Sequence, residues 1–174
     1  MHIDQFSTVR LSVQNWLPNL DNVQTRQALE QSLSAILSDR VLEHLPTPLQ
    51  LEYPKGGVST WIDARAKESE VLLVSWKQSK TLVGLLILAS GGGAAERPLV
   101  HIGYLLAETA WGQGVASELL RGLVAAVKKE GPARLVGGVC RNNPASARVL
   151  QKTGFVLSPD ISTADTEMFV CDVG

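Results

Sequence analysis

Residues 99–117, LVHIGYLLAETAWGQGVAS, constrain the fold more than any other part of this 174-residue chain. An apolar run typical of a β-strand leads into a turn that contains Gly112 and Gly114, and a long helical pattern follows directly. The start of a helix carries unpaired N–H groups and a partial positive charge, so it attracts phosphate. Because glycine has no Cβ, a diphosphate can come close to the backbone there. The stretch therefore predicts a site for a cofactor that carries a diphosphate.

Length and composition predict one domain over residues 1–174. Hydrophobic residues make up 45% and charged residues 19%, which is ordinary for a globular protein, and a chain this long needs no metal or disulfide to stabilise its core. The formal net charge of −1 provides no basic field for nucleic acid or an anionic membrane. Cys140 and Cys171 lie in apolar runs, which favours buried free thiols. Without a signal peptide or a membrane-spanning run, we expect a cytoplasmic protein.

Strand and helix patterns alternate along the rest of the chain. Crossovers through a helix join parallel strands, whereas hairpins join antiparallel ones. The order of the strands and helices therefore predicts an α+β fold. Its sheet is mixed, mostly antiparallel and of about seven strands, with helices on both faces. We expect Asp21 to cap the first helix. Loops rich in proline or glycine are predicted at 38–58 and 90–98. The predicted strands are 6–13, 71–77, 81–89, 99–107, 134–140, 155–157 and 166–172, and the predicted helices are 22–37, 59–67, 114–130 and 143–153.

Two segments, HIGYLLAETAWGQGVASELL and RNNPASARVLQKTGF, resemble the GNAT superfamily of acetyl-CoA-dependent N-acetyltransferases. The likeness is greatest to the subgroup of ribosomal-protein alanine and serine N-terminal acetyltransferases. The superfamily's pyrophosphate loop, Q/R-x-x-G-x-G/A, corresponds to residues 111–116, with Trp111 in the first position as is common in that subgroup. Two motifs at the right separation are far more specific than a lone G-x-G. The second motif, N-x-x-S-x-x-x-L-x-K-x-G-F, is filled by Asn143, Ser146, Leu150, Lys152, Gly154 and Phe155.

The resemblance implies that two parallel strands, 99–107 and 134–140, diverge and hold the pantetheine arm of acetyl-CoA between them. Pantetheine would bond to the backbone as an added strand does, and an N–H near Leu105 would stabilise the oxyanion. Gly137 and Gly138 would keep the second strand thin beside the gap. Arg148 and Lys152 share a helix face that is either solvated or in contact with a coenzyme phosphate. The implied coenzyme-binding residues are Leu105, Leu106, Ala107, Gly112, Gln113, Gly114, Val115, Ala116, Ser117, Asn143 and Ser146.

Acetyl transfer requires a base for the amine and an acid for the departing thiol. His101 stands where many subgroup members have an acidic residue, and it is our candidate base; a structural, hydrogen-bonded histidine is the alternative. Glu108 is a second candidate base that we expect to cap or solvate its loop instead. Ser146 matches the serine that the subgroup places near the sulfur; a capping serine is the alternative. Tyr104 is either another acid or a core residue.

These residues predict an N-acetyltransferase that moves an acetyl group from acetyl-CoA to a primary amine by direct attack, through a tetrahedral intermediate. An N-terminal α-amino group of a protein or peptide is favoured because its pKa lies below that of lysine. The alternatives are a small-molecule amine acetyltransferase and a non-catalytic CoA-binding sensor or scaffold. A nucleotide-binding protein is disfavoured because the phosphate-loop and dinucleotide motifs are missing. We expect a monomer or homodimer and no metal. Glu43, Glu52 and Asp160 either attract the amine of the acceptor or are scattered surface acids, which is the more common arrangement.

Overall fold

A computed structural model describes residues 2–45, 57–91 and 97–174. Its described part contains an eight-stranded sheet in the order β1-β2-β3-β4-β5-β6-β8-β7. Neighbouring strands are antiparallel except β5 and β6, which are parallel. The predicted mixed, mostly antiparallel sheet is confirmed. The strands are β1 (Gln5–Ser7), β2 (Leu11–Asn15), β3 (Glu70–Trp76), β4 (Leu82–Ser90), β5 (Leu99–Leu106), β6 (Ala133–Cys140), β7 (Val156–Leu157) and β8 (Thr166–Val173).

The eighth strand arises at the N-terminus, where the predicted strand 6–13 is a hairpin of β1 and β2. The backbone N–H of Thr8 donates to the carbonyl of Leu11 at 2.9 Å, and the hydroxyl of Thr8 accepts from the N–H of Leu11 at 3.0 Å. Polar and apolar residues alternate from Thr8 through the turn to Val13, so the one-dimensional pattern does not reveal the reversal.

Helices cover both faces of the sheet, as the sequence predicts. The N-cap of α2 is Asn22 and not the predicted Asp21, because the Asn22 side chain accepts from the N–H of Thr25 at 2.9 Å. The predicted loop 38–58 contains α3 in its first part, while residues 46–56 and 92–96 lie outside the described ranges. The helices are α1 (Leu17–Leu20), α2 (Val23–Ile36), α3 (Asp39–Glu43), α4 (Gly57–Glu68), α5 (Val115–Glu130) and α6 (Pro144–Lys152).

Two apolar clusters form the core, one on each face of the sheet. Helices α5 and α6 pack on the first face, where α5 buries Val115, Leu119, Leu123 and Val127, which are spaced four residues apart along one side of the helix. Helices α2 and α4 pack on the second face. Strand β4 is buried on both sides: Leu86 and Leu88 belong to the first cluster, and Leu85 and Ile87 to the second. Each such side chain contributes roughly 1.5–3 kcal/mol by burial, so the strands at the centre of the sheet are held rigidly.

The parallel strands β5 and β6 separate halfway along their length. They pair from Leu99 with Arg134 to Ile102 with Gly137, and no pairing between them continues beyond that point. Strand β5 runs on beside β4 as far as Leu106, while β6 runs on beside β8 as far as Cys140. The divergence implied by the family resemblance is therefore present, and it opens a gap in the middle of the sheet.

Candidate active site

A cavity of about 920 Å³ occupies the gap and reaches both faces of the sheet. Side chains from α3 and α4 line one end, and side chains from α6 line the other. Two of the predicted coenzyme-binding residues, Ala107 and Gln113, do not line the cavity. The predicted site residues that do line it are His101, Leu105, Leu106, Gly112, Gly114, Val115, Ala116, Ser117, Asn143 and Ser146.

The glycine turn before α5 is shaped by backbone conformation. Gly112 and Gly114 have φ angles of +72° and +73°, in the left-handed region that favours glycine. A Cβ on Gly112 would meet no atom within 4 Å, so the dihedral angle, and not crowding, requires glycine. Gly114 is the N-cap of α5 and provides no side-chain cap to the first turn. With Arg148 and Lys152 also lining the cavity, this uncapped helix start fits the diphosphate of a coenzyme.

The turn is supported from the N-terminal hairpin. Arg10 donates through Nη2 to the carbonyl of Gln113 at 3.0 Å. The carboxylate of Glu118 in turn accepts from the Thr8 hydroxyl, from the Arg10 backbone N–H at 2.7 Å and from Arg10 Nε at 2.6 Å. The hairpin thus clamps the glycine turn and the first turn of α5 together. Sequence reasoning missed Arg10 because it lies about a hundred residues from the loop it supports.

We expect Glu118→Gln to destabilise the protein by about 1–3 kcal/mol at pH 7, because charged hydrogen bonds are lost. Burial raises the pKa of Glu118, but the hydrogen bonds from Thr8 and Arg10 outweigh it and hold the pKa below its ordinary value. A lowered folded-state pKa gives stability that is present above the unfolded-state pKa and lost as pH falls through the folded-state value. Urea unfolding at several pH values measures this difference.

The gap between Glu118→Gln and wild type should close in acid, because the wild-type carboxyl is then protonated as well. Glu130→Gln, at the exposed other end of α5, is the matched control and should stay within about 0.5 kcal/mol of wild type. A constant difference between Glu118→Gln and wild type across the pH range would contradict the role of the charge.

The register of β5 determines which backbone groups face the gap. The N–H of Ala107 donates to the carbonyl of Val83 on β4 at 2.8 Å. Antiparallel ladders alternate hydrogen-bonded and non-hydrogen-bonded pairs, so Leu105, two residues earlier, also directs its N–H and C=O to its partner Leu85. The carbonyl of Ala107 accepts from the N–H of Ala110 at 2.9 Å. The backbone N–H and C=O groups of Leu105 and Ala107 are therefore paired within the protein and are directed away from the gap.

Tyr104 and Leu106 occupy the alternate positions, and their backbone groups point away from β4 and toward the gap. The carbonyl of Leu106 already accepts from Nε1 of Trp111 at 2.8 Å, which fastens the glycine turn to the end of β5. The candidate N–H donors for pantetheine or an oxyanion are those of Tyr104 and Leu106. The one-residue shift from Leu105 follows from the strand register alone.

Tyr104 and Ser146 meet on the α6 side of the gap, where the phenol and Ser146 Oγ lie 2.7 Å apart. The N-cap of α6 is Asn143, whose Oδ1 accepts from the N–H of Ser146 at 3.1 Å, so the capping alternative for the Ser146 hydroxyl does not hold. Burial raises the pKa of Tyr104 by more than the hydrogen bond with Ser146 lowers it. The phenol is therefore protonated at neutral pH and can donate a proton or a hydrogen bond.

His101 is exposed and lies on the opposite face of β5 from Tyr104, because side chains alternate along a strand. Both side chains line the same cavity. Glu108, the second candidate base, does not line it. Its carboxylate accepts from the Ser38 hydroxyl and from Arg40 Nη1, the latter at 2.9 Å, which ties α3 to the end of β5. Among the predicted bases in the described ranges, only His101 reaches the cavity.

Two lining residues at the end of α4 were not predicted. Arg65 and Glu68 lie beside the cavity, and Glu68 is the one carboxylate among its described lining residues. Arg65 shares the buried face of α4 with Trp61 and Ile62, which lie four and three residues earlier, respectively. That spacing was readable from the sequence as an arginine on an apolar helix face. Glu43 and Asp160 are exposed and lie outside the cavity, as the surface alternative predicts, while Glu52 is not described.

The two glycines of β6 accommodate protein side chains. A Cβ on Gly137 would lie 3.3 Å from the side chain of Leu150, and one on Gly138 would lie 3.1 Å from the sulfur of Met168. Their small size therefore lets α6 and β8 pack closely. Both glycines also line the cavity, so the prediction that they keep the strand thin beside a ligand stays a prediction. The described residues contain no cluster of three potential metal ligands, and none of their helices has the length and hydropathy to cross a bilayer.

The sequence matches the family model of the GNAT acetyltransferase domain over residues 20–156. The fold is similar to that of a GNAT-family acetyltransferase from Bacillus anthracis (15% identity, 97% of each chain, TM-score 0.68). It is also similar to a probable GNAT acetyltransferase from Chromobacterium violaceum (18% identity, 98% of this chain and 87% of that one, TM-score 0.72). Among curated proteins, none has a significantly similar sequence.

A third similar structure is RimL, a ribosomal L7/L12 alpha-N-protein acetyltransferase in complex with coenzyme A (17% identity, 95% of this chain and 96% of that one, TM-score 0.64). The family model covers most of the sequence, so the chain belongs to the GNAT acetyltransferase family. The protein is an acyltransferase, as the two sequence motifs predict. At 17% identity the likeness to RimL shows the fold alone, so membership of the ribosomal-protein subgroup stays a prediction.

Proposed function

We propose that this chain transfers the acetyl group of acetyl-CoA to a primary amine, as a single cytoplasmic domain. The observation that carries the proposal is the split between β5 and β6 beyond Ile102 and Gly137. The uncapped, glycine-led start of α5 lies at the same cavity. The thin pantetheine arm of acetyl-CoA fits the split between the strands, and its charged diphosphate fits the start of the helix.

Acetyl-CoA supplies the acetyl group as a thioester, which is activated toward attack by an amine. The backbone N–H groups of residues 112–117 would hold its diphosphate, and Arg148 and Lys152 would contact its phosphates. The inward-facing backbone groups of Tyr104, together with the side chain of Asn143, would hold the pantetheine arm. These assignments use groups that line the cavity and keep the coenzyme extended through the gap.

Three groups can perform the proton and charge transfers. His101, on the α4 side of β5, takes the proton from the attacking amine, directly or through water. A backbone N–H of Tyr104 or Leu106 stabilises the negative charge that develops on the carbonyl oxygen. On the α6 side, the hydrogen-bonded pair of Tyr104 and Ser146 delivers a proton to the departing sulfur. The strand thus separates the base from the acid.

The preferred acceptor is an N-terminal α-amino group of a protein or peptide. An α-amino group, with a pKa of about 8, is partly neutral at physiological pH and needs only a weak base such as a histidine. The likeness of fold to RimL, which acts on a protein α-amino group, supports this choice. Small-molecule amines are the second candidate, because a cavity of about 920 Å³ lies within the size range of small-molecule sites.

The proposal is tested by following thiol release from acetyl-CoA with a panel of peptides and small amines. We expect turnover with at least one α-amine and a kcat/KM about 100-fold lower in His101→Gln, because the base is lost. His2→Gln is the matched control and should keep wild-type activity, since His2 is exposed and pairs with Asp4 and Glu70 outside the cavity. Tight acetyl-CoA binding without turnover on any amine would favour a coenzyme-binding sensor or scaffold instead.

A further inference from the structure

Arg65 is a buried arginine in the last turn of α4. It is 8% exposed and lines the cavity on the side where α4 packs against the sheet. Trp61 and Ile62, on the same helix face, belong to the second apolar cluster. A guanidinium buried in such surroundings normally has its N–H donors satisfied, because an unpaired buried donor is destabilising.

The donors of Arg65 are only partly used. Its Nη2 lies 2.9 Å from Oε2 of Glu68, while its Nε is buried and has no hydrogen-bond partner among the described residues. Arg134 provides an internal comparison, because its Nε and Nη2 each donate to one oxygen of Asp172 at 2.8 Å. The Nε and Nη2 donors are therefore both paired in Arg134, whereas in Arg65 only Nη2 is paired.

Glu68 forms only a weak ion pair with the guanidinium of Arg65. Its side chain is 61% exposed and contacts Arg65 through one oxygen, three residues along the helix. Exposed single ion pairs contribute little, whereas a carboxylate that accepts from Nε and Nη2 together makes two charge-assisted hydrogen bonds. In this structure Nε is closed to solvent, so a ligand carboxylate pairs with it once the guanidinium turns from Glu68 toward the cavity, and Glu68 is then released to solvent.

The position of Arg65 relates it to the acceptor. His101 lies on the same face of the sheet, and its strand neighbour Ala89 lines the cavity with Arg65 and Glu68. An amine beside His101 would therefore direct the rest of its molecule along the wall that carries Arg65. The opposite wall, with Tyr104 and Ser146, serves the coenzyme in the proposed function.

We propose that Arg65 binds a carboxylate of the acceptor through Nε and Nη2, so that the enzyme prefers amines that also carry a carboxylate. The inference rests on the proposed function for the position of the amine. The carboxylate can belong to a free amino acid or to an acidic residue that follows the N-terminal residue of a peptide. Both sources present the same group to the same edge of the guanidinium.

Matched acceptor pairs test the proposal and separate the two sources. The first pair is alanine and alaninamide, and the second is the dipeptide amides Ala-Asp and Ala-Asn. In one pair we expect kcat/KM to be about 10- to 100-fold higher for the acidic member, the range expected for a buried charged hydrogen-bond pair. Arg65→Gln should abolish that preference. Arg65→Lys should keep only part of it, because an ammonium group lacks the two parallel N–H donors of the guanidinium.

Glu68→Gln should strengthen the preference for the acidic acceptor, which is the opposite of the effect expected for Arg65→Gln. Because the Glu68 side chain is exposed, the substitution should not disturb the fold. Removing the competing carboxylate should lower KM for the acidic acceptor and leave the neutral one unchanged. Arg134→Gln removes an equally charged arginine outside the cavity and should leave the preference intact. Equal kcat/KM for both members of both pairs, or an unchanged KM in Glu68→Gln, would overturn the assignment of Arg65.

Binding of the acetylated products separates this inference from the proposed function. With CoA present, calorimetry should show tighter binding of N-acetylalanine, or of N-acetyl-Ala-Asp amide, than of the matching neutral amide. The difference should disappear in Arg65→Gln. If it appears without turnover on any amine, the carboxylate site stands and the proposed function fails. If amines are acetylated without any carboxylate preference, the proposed function stands and the carboxylate site fails.

Discussion

A Gly114→Val variant should bind CoA at least about 100-fold more weakly than wild type. Gly114 has a φ of +73°, where a β-branched residue is strongly disfavoured, so the turn must leave its left-handed conformation. The N–H groups at the start of α5 then no longer converge on one point. Each charge-assisted hydrogen bond lost to the diphosphate is worth about 1.5–3 kcal/mol, and two of them account for the predicted loss. Calorimetric titration with CoA measures the change.

The effect of backbone strain in Gly114→Val must be separated from the effect of losing the turn that would bind CoA. Gly131→Val is the matched control, because Gly131 also has a positive φ, +133°, and terminates the same helix at its other end. A Cβ there would meet no atom within 4 Å, so its effect is conformational as well. Both variants should lose stability, but Gly131→Val should bind CoA as wild type does. Similar losses of CoA affinity in both variants would refute a specific role for the Gly114 turn.

Tyr104→Phe should lower kcat about 100-fold and leave the affinity for CoA nearly unchanged. The substitution keeps the buried ring and removes the hydroxyl that lies 2.7 Å from Ser146 Oγ. Proton transfer by a positioned side chain typically contributes 10²–10⁴-fold, so losing half of the pair should cost at the lower end of that range. Steady-state kinetics with a saturating acceptor, together with CoA titration, separate kcat from binding.

The pair should behave as one unit. If Tyr104 and Ser146 pass one proton along one path, the double variant Tyr104→Phe with Ser146→Ala should be no slower than the slower single variant. Losses that multiply would mean that the two hydroxyls act separately. Wild-type kcat in both single variants would remove them from the chemistry altogether.

Local patterns identified most of the site because its determinants are local. The turn at Gly112 and Gly114 needs glycine for its own backbone angles, and the helix that follows presents its N–H groups wherever it packs. Asn143 caps α6 through a contact only three residues away. Contacts of this range leave fixed spacings in the sequence, so the two motifs predicted the family, the fold and most of the residues that line the cavity at the starts of α5 and α6.

Longer-range features were not predicted. The register of β5 with β4 decides which of its backbone N–H and C=O groups point toward the gap. A one-residue difference in register moves these groups from Leu105 to Tyr104 and Leu106. The support of the turn by Arg10 and the contact between Tyr104 and Ser146 join residues far apart in the chain. No spacing within one element encodes such contacts.

The amino-acid sequence by itself determined the strand–turn–helix unit, the α6 cap and the class of enzyme, because each depends on residues within one or two turns of each other. Tertiary structure alone decided which backbone groups face the gap, which of the two candidate bases lines the cavity, and that Arg65 and Glu68 line it as well. The physical reason is that strand register and helix packing are set by the burial of side chains contributed by the whole sheet.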